Sequence, residues 1–239
     1  MIIKKQKSVK NQLLIFDFDG TLADTFRAHY EAWLEVLETY DTRTSSLLRS
    51  LLREGLDSEK IARNLGIKEK LIPMIADKKQ KVFFKIALEK ANLYPYAKQV
   101  IKTLYKRGYI LCVLTTVERK TVERILLKYN LKKYFSFIVG REDVKYPKPH
   151  PQTIYLVFKR LEETLGKEAD KEIFYIGDSK TDFALSRVAG TPFILFLSPY
   201  QGKQKYLVEK DDECVVTINS LKELLNIFPP LGGKDECRD

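Results

Sequence analysis

Two rhythms of apolar and polar residues run through this 239-residue chain. Short, predominantly apolar runs recur at 13–19, 109–114, 135–139, 173–176, 193–197 and 214–218. Runs of that length, apolar on both faces, predict buried strands. The segments between them carry apolar residues at helical spacing. Ala97, Val100, Ile101 and Leu104 share one face and Gly108 stops the helix. Val122, Ile125, Leu126 and Tyr129 form a second such face, and Ile154, Val157, Phe158, Leu161 and Leu165 a third. A short helix over 181–189 ends at Gly190. Ser220 and Glu223 read as a capping box for a last helix with Leu221, Leu224, Leu225 and Phe228 inward. Strands alternating with helices predict an α/β fold, a parallel sheet covered on both faces.

One stretch breaks the alternation. Residues 25–90 show helical spacing only. Tyr30, Trp33, Leu34 and Leu37 lie on one face, and Leu47, Leu48, Leu51 and Leu52 suggest a short helix that Gly55 ends. Asp57 can cap another helix carrying Ile61 and Leu65. Pro73 opens a longer one with Ile75, Val82, Phe83 and Ile86 inward, where Lys79 is expected to bury only its stem. The predicted organisation is a core of 13–24 and 91–228, an all-α cap domain over 25–90, and polar tails at 1–12 and 229–239. Asp24 and Thr25 stand where the hinge would be.

In a parallel sheet of this kind ligands bind beyond the carboxyl ends of the strands. The first apolar run ends in Asp17 and Asp19, which a strand would point to one side. Ionised carboxylates there repel each other unless a cation or donors sit between them. The run 109–114 leads to Thr115 and Thr116, and the run 173–176 to Gly177 and Asp178, with Asp182 one helical turn on. Lys148 lies among Pro147, Pro149 and Pro151, which predict a rigid, extended loop. Each feature has a plain alternative: an acidic turn, a helix cap at Thr115 or Asp178, an exposed lysine. Their joint arrival at successive strand ends favours a site of four carboxylates, a hydroxyl and an ammonium.

Composition narrows the class. Hydrophobic residues make up 44% of the chain, enough for a packed core. No apolar run approaches a membrane span, and no long apolar leader opens the sequence, so the expected location is cytoplasmic. Cys112, Cys214 and Cys237 have no metal-type spacing and fit a reducing compartment. The net charge of +10 invites a polyanion partner. The basic residues are spread along the chain, however, and only 4–10 is dense, so a lysine-rich surface is the preferred reading and a nucleic-acid partner is not expected.

The strand-end residues resemble the haloacid dehalogenase-like hydrolase superfamily. Asp17-Phe18-Asp19-Gly20-Thr21 is similar to its first motif, Thr115 to its second, Lys148 to its third, and Gly177-Asp178-Ser179-Lys180-Thr181-Asp182 to its fourth. The helical block resembles the α-helical cap of the phosphoglycolate phosphatase and β-phosphoglucomutase branch. The resemblance implies a Rossmann-like core and a magnesium-dependent phosphatase of a small phosphorylated metabolite. Asp17 would be the nucleophile and Asp19 the acid and base. Asp17, Asp19 (through its carbonyl) and Asp178 would hold the metal, with Asp182 as a more distant or water-mediated partner. Thr115 and Thr116 would bind the phosphoryl group, Thr116 through a free N–H at a helix start, and Lys148 would neutralise it. Keeping Asp19 argues for phosphate esters over carbon–halogen bonds. His29 stands in register with a histidine of the β-phosphoglucomutases, which keeps a sugar phosphomutase as the alternative, although their arginine and glycine pattern is not clear here. A non-catalytic binding protein is disfavoured because Asp17, Asp19, Lys148 and Asp178 are all present. The molecule is expected to be a monomer or homodimer.

Overall fold

The computed structural model describes residues 11–37, 45–54, 56–166, 171–198 and 215–231. The dense basic cluster at 4–10, Gly55, Cys214 and Cys237 lie outside them. Strand β1 (Asn11–Phe16) is the centre of a six-stranded sheet. A two-residue strand, β2 (Ala23–Asp24), follows it, and then helices α1 (Phe26–Leu37), α2 (Ser45–Arg53), α3 (Ser58–Asn64) and α4 (Ile72–Lys90). Strand β3 (Asn92–Leu93) returns antiparallel to β2. Then come α5 (Ala97–Lys106), β4 (Ile110–Leu114), α6 (Arg119–Lys128), β5 (Phe137–Val139), α7 (Gln152–Leu165) and β6 (Lys171–Gly177). The chain continues through α8 (Lys180–Ala189), β7 (Phe193–Phe196), β8 (Val215–Ile218) and α9 (Leu224–Ile227).

The large sheet has the order β5-β4-β1-β6-β7-β8, and every neighbouring pair is parallel. This is the α/β, Rossmann-like architecture expected from the alternation. Successive β1 side chains face opposite ways. Leu14 and Phe16 join the core under α5, α6 and α9, while Leu13 and Ile15 join the core under α7 and α8. All four are at most 1% exposed. Burying each is worth roughly 1.5–3 kcal/mol, which is why this strand takes the centre. From β1 the chain works outward through β4 and β5, then restarts at β6 on the other side and runs out to β8. The strand order reverses beside β1, and crevices form where the order reverses.

Several boundaries differ from expectation. Strand β1 begins at Asn11, so Asn11 and Gln12 are sheet residues and no part of a tail. Gln12 is buried, and its Nε2 donates to Glu172 Oε2 on β6 at 2.7 Å. The strand ends at Phe16, so Asp17 and Asp19 stand in the loop beyond it. The start of the expected C-terminal tail is docked: Leu231 N donates to Arg107 O, and Pro229 O accepts from Tyr109 Oη. The four helices between β2 and β3 carry a hydrophobic cluster of their own, centred on Trp33, Leu48, Ile61 and Ile75. Asp57 caps α3 by accepting from Lys60 N.

Candidate active site

The loop after β1 continues the strand's work for a few residues. Asp17 N donates to Ile176 O, extending the ladder to β6. Phe18 is fully buried in the core, and its carbonyl accepts from both Leu22 N and Ala23 N. The tight return needs a positive φ of 83° at Gly20, where a side chain would be strained. With Phe18 anchored between them, the two acids face different surroundings.

Asp17 lies deep, 4% exposed. Its Oδ1 accepts from Lys148 Nζ at 2.6 Å. The same ammonium donates to Asp182 Oδ1 at 2.7 Å and to Leu114 O, at the end of β4, at 3.2 Å. Three donors meet three acceptors, and Lys148 is buried with them. Burial opposes its charge, but Asp17 and Asp182 outweigh burial and push the ammonium's pKa well above its usual value. The segment carrying Lys148 is a turn closed by His150 N donating to Pro147 O at 3.0 Å, not the extended loop expected.

Asp182, on the first turn of α8, is fully buried and spends its acceptor capacity on the protein. Oδ1 takes Lys148 and the Tyr175 hydroxyl at 3.0 Å. Oδ2 takes Ser179 N at 3.1 Å and Ser179 Oγ at 2.5 Å. Ser179 in turn caps the helix by accepting from Asp182 N. Gly177 lets this helix start approach the strand, because a Cβ there would fall 2.6 Å from Asp182 Cβ. Asp178, 4% exposed, accepts from Thr21 Oγ1 at 3.2 Å.

Asp17, Asp178 and Asp182 bring a carboxylate oxygen each within 4.8 Å of one another. Burial, then the neighbouring Asp182, Asp178 and Asp19 charges, outweigh Lys148 and raise the Asp17 carboxyl well above its usual range. A buried cluster with more carboxylates than cations fits a divalent cation with oxygen ligands.

Asp19 has other partners. Its Oδ1 accepts a short hydrogen bond from Thr25 Oγ1, and its Oδ2 lies 3.2 Å from His29 Nε2. His29 Nδ1 lies 2.6 Å from Lys79 Nζ. A carboxylate only accepts, so His29 Nε2 carries the hydrogen; bare Nδ1 then accepts from Lys79. Burial and the Lys79 charge both lower the imidazole pKa, consistent with a neutral ring. Burial alone would raise the Asp19 carboxyl. The His29 ring beside it, bonds from His29 and Thr25, and the Lys79 ammonium hold it below its usual range. Lys79 is 1% exposed, so its whole side chain is inside, where only the stem was expected. Burial lowers its pKa to about 7. His29 also stacks on Phe83 with ring centroids 3.9 Å apart.

The expected site residues therefore fall into two groups. Asp17, Asp178, Asp182 and Lys148 converge on one buried cluster, and Asp19 and His29 pair beside it. Thr115 is buried, and its Oγ1 accepts from Val117 N within the turn after β4; it is not a helix cap, since Glu118 holds that position before α6. Thr116 lines the pocket with Asp17, Asp19, Lys148 and Asp178. It is not at a helix start, since α6 begins only at Arg119. Sequence reading missed Lys79, Tyr175 and the bond from Thr25. The Thr25 and His29 spacing, four residues on one helical turn, was the available signal.

The family described as haloacid dehalogenase-like hydrolase matches residues 14–196. A phosphoglycolate phosphatase of Salmonella typhi is 24% identical over 236 residues, covering 89% of this chain and 91% of that protein. One from Escherichia coli K12 is 27% identical over 142 residues, covering 59% of this chain and 54% of that protein. A Bacteroides fragilis structure described as a haloacid dehalogenase-like hydrolase is 25% identical, with a TM-score of 0.75 over 90% of this chain and all of that one. A hydrolase structure from Pseudomonas syringae, 21% identical, has a TM-score of 0.73 over 91% and 97% of the two chains.

Proposed function

The chain belongs to the haloacid dehalogenase-like hydrolase family, and from that premise we propose that it is a magnesium-dependent phosphatase acting on the phosphate monoester of a small metabolite. One observation carries the reading. Two aspartates two residues apart are given opposite surroundings, Asp17 against an ammonium and other carboxylates, Asp19 against Thr25 and His29. Neighbouring acids held in separate environments are the mark of divided chemical roles.

Asp17 is the nucleophile in this proposal. Its carboxylate attacks phosphorus, the ester oxygen leaves, and an aspartyl-phosphate forms. Asp19 protonates the departing oxygen and then takes a proton from the water that breaks the acyl phosphate. Held below the usual carboxylate range, Asp19 favours the ionised form that the second step needs. A phosphoryl dianion arriving beside it raises its proton affinity and prepares the first. His29 Nε2–H and Thr25 Oγ1–H fix the direction of its lone pairs. Lys148 meets the phosphoryl charge while holding Asp17 in place. Asp17, Asp178 and the Asp19 carbonyl would hold magnesium, which when bound neutralises charge on nucleophile and phosphoryl group. Asp182, with its acceptors committed to Lys148, Tyr175 and Ser179, is assigned to positioning Lys148. Thr116, on the pocket wall, is assigned the phosphoryl contact through its backbone N–H, which leaves its hydroxyl for the rest of the substrate. We place the chain in the cytoplasm; among the described residues no helix is long and apolar enough to cross a membrane.

The His29–Asp19 contact also favours a second reading, a sugar phosphomutase, in which the same acid and base serve a returning sugar hydroxyl. One assay separates the readings. With p-nitrophenyl phosphate and magnesium, turnover should appear, disappear with chelator, and fall at least about a thousandfold in Asp17→Asn. Borohydride should reduce trapped acyl phosphate to homoserine at position 17. Undiminished turnover in Asp17→Asn refutes the nucleophile assignment. With sugar phosphates in place of the aryl ester, isomerised product outpacing released phosphate establishes the mutase.

A further inference from the structure

The pocket over Asp17 is small, about 70 Å³, and it does not stop there. Asp57, Ser58, Gln80 and Thr116 line it and also line a second chamber of about 220 Å³ between α3, α4 and the core. The two spaces meet at those four side chains. The second chamber is far larger than a two-carbon leaving group needs; a water takes only roughly 10–15 Å³ of such space.

The chemistry of its walls sorts into two kinds. Every charged group there is already matched. Asp57 accepts from Lys60 N and pairs with Lys60 Nζ at 3.4 Å. Glu59 pairs with Arg141 at 3.5 Å, and Asp77 with Lys81 at 2.7 Å. An anion entering would meet three carboxylates and one guanidinium already turned to Glu59 and the Val144 carbonyl. A cation would find carboxylates that are already neutralised. The uncharged groups are the uncommitted ones. Ser58 Oγ and Gln80 Nε2 share one long contact of 3.4 Å, near the limit of a hydrogen bond. The Thr116 hydroxyl and the Gln80 amide oxygen have no hydrogen-bond partner among the described residues. The cations on the far side of the first pocket are engaged too: Lys79 with His29, and Arg53 over the Phe26 ring at 5.8 Å.

We infer that the leaving group is an uncharged, hydroxyl-rich fragment, a sugar or polyol, held by Ser58, Gln80 and Thr116 at the mouth of the second chamber, and not a short carboxylate such as glycolate. This rests on the phosphatase reading and names its substrate class. Hydroxyls can both donate to and accept from an amide and two hydroxyls, and a site built to bond them discriminates strongly against molecules that lack them.

The test compares kcat/KM of the magnesium-loaded full chain for sugar and polyol monophosphates, 2-phosphoglycolate and p-nitrophenyl phosphate. The best sugar or polyol phosphate should exceed phosphoglycolate by about tenfold or more. Gln80→Leu should lower the ratio of sugar phosphate to aryl phosphate kcat/KM by about fivefold or more, mainly through KM. Gln80→Arg, which places a cation at the junction, should shift preference toward phosphoglycolate. Asp17-dependent turnover that prefers phosphoglycolate, or ratios unmoved by both substitutions, overturns the inference and leaves the phosphatase reading standing. Absence of Asp17-dependent turnover of every ester overturns both.

Discussion

The floor of the site and the wall that faces it solve the same problem differently. On the floor, buried charges are matched in place by neighbours at the strand ends: Lys148 by Asp17, Asp182 and a carbonyl, and Asp182 by Lys148, Tyr175 and Ser179. On the wall, Lys79 is buried without a carboxylate in contact. It meets the His29 ring nitrogen and the face of the Phe83 ring, 4.8 Å from its centroid, and burial lowers its pKa to about 7 instead of leaving it firmly charged. A matched ammonium is a fixed part of the scaffold. An unmatched one can gain or lose its proton near neutrality, so its influence on Asp19 depends on conditions.

The sharpest way to break the contrast is to remove the matched cation. Lys148→Met should abolish measurable turnover and cost about 3–5 kcal/mol of stability, because Asp17 and Asp182 are left buried without it. Urea melts at neutral pH read the second effect. A stability loss near zero would show that the carboxylates neutralise themselves by taking up protons.

The same change on the wall should have the opposite sign in stability. Burial has depressed the Lys79 pKa, so between pH 7 and the ordinary lysine range the unfolded chain binds more protons than the folded one. Stability therefore rises with pH there, by up to about 1.4 kcal/mol per pH unit from this group. Lys79→Met removes that slope. The variant should gain on the parent more at pH 6 than at pH 9.5, while losing about 10- to 100-fold in kcat as His29 and Asp19 lose their support. Thermal melts at the two pH values check it, and an equal difference at both would contradict a depressed lysine.

The smallest effect belongs to the rim. The Arg141–Glu59 pair joins the core to α3 with both side chains partly in solvent. Glu59→Gln should change stability by less than about 1 kcal/mol. A larger loss in thermal melts would mean that the wall is locked to the floor by this contact.

The floor was legible in the sequence because Asp17 and Asp178 follow apolar runs directly and Lys148 stands out among three prolines. Asp17 and Asp178 could be placed by counting strands, and the parallel sheet follows from the alternation itself. Gln12 was misread because a buried polar residue that bonds across to Glu172 looks, in a pattern, like the start of a tail. The wall was less legible. Lys79 and His29 are 50 positions apart and meet only when α1 packs on α4. Helical spacing shows which face a lysine is on, but not whether its ammonium reaches water. Thr115 and Thr116 were separated by the turn before α6, whose three extra residues no periodicity marks.

The little ribbon of β2 and β3 bears on how such a chain could have been assembled. It leaves the sheet at Ala23 and Asp24 and comes back alongside itself at Asn92 and Leu93, with Tyr94 N then donating to Leu22 O. Seen from the strands, everything in between is the loop of one long hairpin. Departure and return share a doorway, so the length of what lies beyond it places no demand on the register of β1 or the spacing of β4. Segments of other lengths could be spliced through that doorway, each presenting new side chains to an unchanged set of strand ends.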